Sequence, residues 1–336
     1  MTDARRRPFR LLLSVVATAA GLALLAWQIA DAGPALILEH LSNVGLPGFL
    51  AILVVSGARL LMRALAWRSL IPEAPPLRQA LAATISGDAV GNLTLLSLLA
   101  SEPTKAMYLG GRADASRVFA ALAAENYFYS LSVAVYVTLG TGAMLVSFAN
   151  LPAAAEETMP SIAQIRIAGL VTLVAMAAVL LAGIWLAWRQ PRMLTMLVSR
   201  LPGRRAQAFA ARLQTFEAGV YGATAHPEAR IGRLLACEGT FHVLSFVEAW
   251  LTLWLLTGGS YMIESFVLDT VSRVVKIVFR AVPMQIGVDE ATAEPVSRAI
   301  GFADGIGVAT ALVRKARVAF WSLVGIVLLT RKGLSR

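Results

Sequence analysis

Residues 167–188 read IAGLVTLVAMAAVLLAGIWLAW, twenty-two consecutive positions without a charge. An α-helix rises about 1.5 Å per residue, so such a run matches the roughly 30 Å hydrocarbon thickness of a bilayer. In lipid, backbone polar groups must be satisfied within the segment, which leaves helices or closed barrels. The run is continuous rather than alternating, which selects the helix. Five further runs share this character: 11–30, 48–67, one within 118–148, 234–256 and 309–330. Composition agrees. The chain is 57% hydrophobic and 15% charged, whereas a soluble domain is about half apolar and a quarter charged.

The run at 11–30 follows Arg5, Arg6, Arg7 and Arg10 and resembles a signal peptide in outline. Its length exceeds the usual apolar core of about 7–15 residues, so it is read as a retained first helix. The net charge of +10 fits nucleic-acid binding less well than loop marking, because the basic residues cluster between apolar runs. Seven arginines lie between residues 189 and 230, against Glu217 and Glu228. The loops near 31–47 and 149–165 carry acids and almost no basic residues. The N-terminus, the arginine-rich loop and the C-terminus are therefore predicted to be cytoplasmic.

That alternation closes only if residues 77–105 enter and return from the cytoplasmic side, and residues 268–291 from the outside. The predicted fold is an all-α integral membrane protein with about six full transmembrane helices. Two re-entrant or broken segments complete it, in inverted pseudo-repeats. It is one polytopic domain over 1–336: a first half to about 188, a basic cytoplasmic loop over 189–231, and a second half over 232–336. Paired interrupted segments in two halves are the sequence sign of a transporter site. Both segments follow one plan. GDAVGNLTLLSLLASEPTKAMYLGG and LDTVSRVVKIVFRAVPMQIGVDEATAEP each hold an acid, an apolar stretch, then an acid beside a helix breaker.

The second segment carries the sharpest polar pattern. Asp269, Arg273, Lys276 and Arg280 are spaced 4, 3 and 4, which on a helix forms a single stripe. Asp269 pairs with Arg273 at i,i+4, which leaves Lys276 and Arg280 in need of anions. A charge at the bilayer centre costs roughly 2.5–3.5 kcal/mol on insertion scales, so the stripe should face a partner or a wet cavity. Snorkelling to an interface and pairing with internal acids are the alternatives. Glu125 and Asn126 in the third run, and Glu238, His242, Ser245, Glu248 and Thr252 in the fifth, supply such acids and polar groups. Glu238 and His242, one turn apart, form a candidate proton relay, with a structural role as the alternative.

Pro103 in SEPTK is expected to break helix at Glu102. Lys105 would then lie in the first turn of a new helix, where free N–H groups attract anions. Pro283 and Gly287 suggest the same device from the other side. Arg59 and Arg63 read as snorkelling toward the cytoplasm, with a site role second. Cys237 is the single cysteine, so no intrachain disulfide forms. His40, His226 and His242 show no ligand spacing. No cofactor or metal is expected, and no catalytic motif is recognisable.

On these two segments the sequence resembles the transmembrane region of lysylphosphatidylglycerol synthases, a flippase-like superfamily of bacterial membrane proteins, nearest its hopanoid-biosynthesis-associated branch. The family's first-half pattern falls on Asp88, Asn92, Glu102 and Lys105. The second falls on Asp269, Phe279, Pro283, Gly287 and Glu290, and the basic run into the last helix on Arg314, Lys315 and Arg317. The first half lacks the Pro and Gly usual before its Glu, and Met284 stands where Gly is common. The resemblance implies a multi-pass protein of the bacterial inner membrane that moves a polar or anionic lipid between leaflets. Its substrate-binding residues would be Asp88, Asn92, Glu102, Lys105, Glu125, Asp269, Arg273, Lys276, Arg280, Glu290 and Arg317. The expected partner is a membrane lipid, together with a lipid-biosynthesis enzyme, and not nucleic acid. Two other readings stand beside it. One is an enzyme acting on a lipid headgroup through acids such as Glu238 and Glu248. The other is a non-catalytic partner of a lipid-synthesis complex that docks through the arginine-rich loop.

Overall fold

The computed structural model describes residues 34–71, 74–94, 97–109, 115–149, 161–190, 228–279 and 287–334, with single positions 30, 196, 214, 217, 282 and 285. The predicted helix at 11–30, most of the arginine-rich loop, Arg280 and Pro283 lie outside the described residues. Among the described residues there are nine α-helices and no strand. In chain order they are α1 (Pro34–Ser69), α2 (Leu77–Leu93), α3 (Ser97–Leu109), α4 (Ala115–Ala149) and α5 (Ser161–Arg189). Then follow α6 (Glu228–Thr257), α7 (Met262–Val278), α8 (Val288–Ala299) and α9 (Ile306–Leu334).

Among the described residues, four helices are long and apolar enough to cross a membrane: Ala35–Ser69, Val118–Ala149, Ile162–Arg189 and Arg230–Thr257. The all-helical membrane character is therefore plain. α5 shows why water is the wrong solvent. Val171, Val174, Leu181 and Ile184 are all exposed, and Trp188 is 90% exposed. A continuous apolar face of this extent requires lipid or protein cover. α9 has the length to span, but Arg314, Lys315 and Arg317 stand in its middle. Arg314 and Arg317 are buried, and the helix turns these charges inward.

Two expectations are corrected. The segment expected as a loop at 31–47 is helical from Pro34, with a kink where Gly45 takes a φ of 56° ahead of Pro47. Glycine tolerates that conformation and proline withholds its N–H, so the kink is local and the helix resumes. The absence of basic residues there bears on membrane side, not on helix content. The break expected at Pro103 is also displaced: α3 runs through Pro103, and the chain leaves α2 at Thr94 instead. Pro103 is the seventh of the thirteen residues of α3, and the helix carries it at the loss of one intrahelical bond. The buried Lys105 lies two residues later, and the Thr104 hydroxyl donates to the Ala100 carbonyl at 2.7 Å across this turn. Lys105 is accordingly the ninth residue of α3 and not in its first turn.

The second interrupted segment is as expected a pair of short helices, α7 and α8, separated at residues 279–287. Gly287, with φ of 81°, caps α8. Its N–H donates to the Glu290 carboxylate at 2.9 Å. The Glu290 side chain thus satisfies the backbone N–H of the capping residue at the start of α8.

Two apolar clusters hold the bundle. One gathers Trp67, Leu122 and Leu234 from α1, α4 and α6. The other gathers Ile52, Phe148 and Leu253 from the same helices, with Val267, Val296 and Val313. Gly325 lets α9 lie against α2, since a Cβ there would fall 2.5 Å from both the Ala89 Cβ and the Ile85 carbonyl oxygen. Small residues at such crossings are the usual means of close helix approach in membranes.

Candidate functional site

Between the two apolar clusters lies a cavity of about 580 Å³. Along α1 its lining residues run from Ser56 to Arg63, between Ile52 of one cluster and Ala64 of the other. Along α4 they run from Asn126 to Ala134, between Ala124 and Met144. The cavity therefore sits at mid-helix depth. All nine described helices contribute to it.

Its walls are strongly basic. Among the described residues the lining includes Arg59, Arg63, Lys105, Arg273, Lys276, Arg314, Lys315 and Arg317, against the carboxylates Asp88, Glu102 and Asp289. Eight cations at this depth would be prohibitive without compensation, and most are compensated from behind the wall. Arg63 meets Glu125 at 2.9 Å and Arg273 meets Asp269 at 3.0 Å. Arg314 meets Asp289 at 2.9 Å, and Lys315 meets Glu290 at 2.7 Å. Glu248 serves two guanidinium groups, Arg59 at 2.6 Å and Arg317 at 2.9 Å. Lys105 is shared by two acids, Glu102 at 3.1 Å and Asp88 at 3.5 Å.

Aromatic faces complete the scaffold. The guanidinium of Arg63 lies 4.2 Å from the Tyr129 ring centre, Arg273 4.0 Å from Tyr136, and Arg59 4.8 Å from Phe241. Such contacts fix a cation while leaving its rim available. Asp269 is held further by the Tyr136 hydroxyl, which donates at 2.8 Å, and by the Ser245 hydroxyl at 3.2 Å. The Ser272 hydroxyl donates to Asp289 at 2.9 Å. These neutral donors pin the carboxylates so that the arginines take defined positions.

The 4-3-4 stripe thus faces inward. Asp269 and Arg273 pair on α7, and Lys276 lines the cavity with no ion-pair partner within 4 Å among the described residues. The acids of α4 and α6 do not neutralise it: Glu125 is taken by Arg63, and Glu248 by Arg59 and Arg317. Of the predicted site residues, Asp88, Asn92, Glu102, Lys105, Arg273, Lys276 and Arg317 line the cavity together. Glu125, Asp269 and Glu290 stand behind it as counter-ions. Arg280 lies outside the described residues.

Glu238 and His242 are buried on α6 but outside the lining. His242 meets the Ser132 hydroxyl at 2.9 Å and stacks with Tyr136. No hydrogen bond joins the two among the described residues.

Arg59 and Arg63 correct the snorkelling reading: both turn inward to acids more than sixty positions away in sequence. The available signal was the spacing of Ser56, Arg59, Leu60 and Arg63, at steps of three and four, which places them on one face of α1. Glu248 and Asp289 were also visible as intramembrane acids, but their partners come from other helices.

The cavity reaches the outer apolar face of the bundle. Ser130, Val179 and Ile277 line it and are exposed, Val179 to 40% and Ile277 to 46%. Comparison with models of protein families, with curated proteins and with solved structures finds no match to this chain.

Proposed function

We propose that this chain is a flippase-like lipid transporter of the bacterial inner membrane, which passes a polar or anionic lipid headgroup through the basic cavity. The observation that carries the reading is a charged cavity at mid-helix depth, open sideways at Val179 and Ile277 onto an apolar surface. A headgroup needs polar walls, while its tails stay in lipid. Lining from both interrupted pairs, α2–α3 and α7–α8, meets in one cavity, which supports an arrangement of two inverted halves. In this reading the apolar run at 11–30 and α9 complete six spans, and the resemblance to the lysylphosphatidylglycerol-synthase transmembrane region supplies the lipid class.

The experiment is reconstitution of the purified protein into liposomes carrying a labelled anionic phospholipid in one leaflet. Faster equilibration than in protein-free liposomes supports the reading, and equal rates for every lipid tried reject it.

The orientation has its own test. With Cys237→Ala as background, Ser161→Cys should react with an impermeant thiol reagent added outside intact cells. Gln190→Cys should react only after the membrane is opened. The opposite pattern would invert the topology.

A further inference from the structure

The charge in the cavity is unevenly placed. Lys105 has two carboxylates, Asp88 and Glu102. At the other side, Glu248 alone answers both Arg59 and Arg317, and Asp289 answers Arg314. Lys276 lines the same cavity as Arg59, Arg314, Arg317 and Asp289 and has no ion-pair partner within 4 Å among the described residues. Among the described residues, four cations thus meet two carboxylates in this corner of the cavity: Arg59, Arg314, Arg317 and Lys276 against Glu248 and Asp289. Uncompensated buried charge is costly unless an anion or water supplies the balance.

We infer that the corner formed by Lys276, Arg59 and Arg317 is a binding site for a phosphate-type oxyanion, with the Lys276 ammonium as its principal contact. The inference rests on the transporter reading for the source of that anion, a phospholipid headgroup, but the site itself follows from the charge placement. Chemistry favours phosphate over carboxylate. A tetrahedral phosphate presents non-bridging oxygens in several directions and accepts from several donors at once, and guanidinium groups fixed by one shared carboxylate keep further N–H groups for it. Nε of Arg59 and Nε of Arg317 are themselves buried without a hydrogen-bond partner, so both guanidiniums reach the corner incompletely satisfied. The edge of the cavity is apolar at Val179 and Ile277, so acyl chains attached to the phosphate have a path outward.

Lys276→Met tests this without breaking an ion pair, and Lys276→Arg keeps the charge. Binding is measured on detergent-purified full-length protein by microscale thermophoresis. The probes are dioctanoyl phosphatidic acid, dioctanoylglycerol without a phosphate, and inorganic phosphate. A lost charge-assisted contact corresponds to a weakening on the order of tenfold or more for Lys276→Met. Lys276→Arg should stay within a few-fold of the wild type, and dioctanoylglycerol should bind far more weakly than phosphatidic acid. Inorganic phosphate competing with the lipid would show that the corner takes the phosphate itself. Phosphatidic acid binding without such competition would show that the lipid supplies the bound group. Unchanged affinity in Lys276→Met, at an unchanged melting temperature, would overturn the site. So would equal binding of dioctanoylglycerol. If Lys276→Met binds normally while reconstituted protein still moves lipid, the site fails and the transporter reading survives. If phosphate binding depends on Lys276 but no lipid moves, the site stands and the transporter reading fails.

Discussion

Glu248→Ala should lower the melting temperature of the detergent-solubilised protein by at least about 5 °C, or prevent its recovery as a monodisperse species. Among the described residues, Glu248 is the one carboxylate within ion-pair distance of both Arg59 and Arg317, at 2.6 and 2.9 Å. It ties α1 and α9 to α6 through charge. Truncation leaves two largely buried guanidiniums without a counter-ion, and breaking one such buried pair costs about 3–5 kcal/mol. Glu248→Gln keeps the acceptor oxygen and loses the charge, so its effect should be smaller. Pairing Glu248→Gln with Arg317→Gln should restore part of the loss, because the orphaned charge goes with its partner. A melting temperature within about 2 °C of wild type for Glu248→Ala would mean that water already screens these groups.

Gly307→Val should be as damaging, for a steric reason. A Cβ at this position in the first turn of α9 would stand 2.6 Å from the Ala293 carbonyl oxygen and 2.6 Å from the Glu294 Cα. Both are backbone atoms of α8, which cannot rotate aside. The contact also aligns the cap of α9, where the Glu294 carboxylate accepts from Gly305 N–H at 2.8 Å and Val308 N–H at 3.1 Å. Forcing α8 and α9 apart strains both this cap and the Arg314–Asp289 pair that spans the two helices. The expected result is a several-degree loss of melting temperature, with Gly307→Ala intermediate. Wild-type behaviour of the valine variant would show that α8 is free to move outward.

Much of the architecture was legible in hydrophobic periodicity alone. The apolar runs near 48–67, 118–148, 167–188 and 234–256 appear as α1, α4, α5 and α6, because an uninterrupted apolar segment of that length has few other stable states. The stripe on α7 was legible for a related reason: the 4-3-4 spacing needs only helical geometry to put Asp269, Arg273 and Lys276 on one side. Local propensity misled at Pro103 and at residues 34–44. In both the helix persists: Pro103 in the middle of α3 costs one backbone hydrogen bond, and residues 34–44 hold a single acid, Glu39, and no breaker after Pro34. The pairings across the site were not legible. Arg63 finds Glu125 and Arg59 finds Glu248 only when three helices converge, and no spacing within one helix carries that information.

The central claim is that the cations of the cavity carry a headgroup across the membrane. The most direct measurement is leaflet-resolved phospholipid exchange in proteoliposomes, comparing the wild type with the double variant Arg273→Gln, Lys276→Met at matched reconstitution and matched melting temperature. Gln keeps a donor for Asp269, so the pair tests charge in the lining more than fold. The account predicts exchange of anionic phospholipid slowed on the order of tenfold or more, toward the protein-free rate, given the energy of charge-assisted contacts. Exchange at the wild-type rate in the double variant would contradict it.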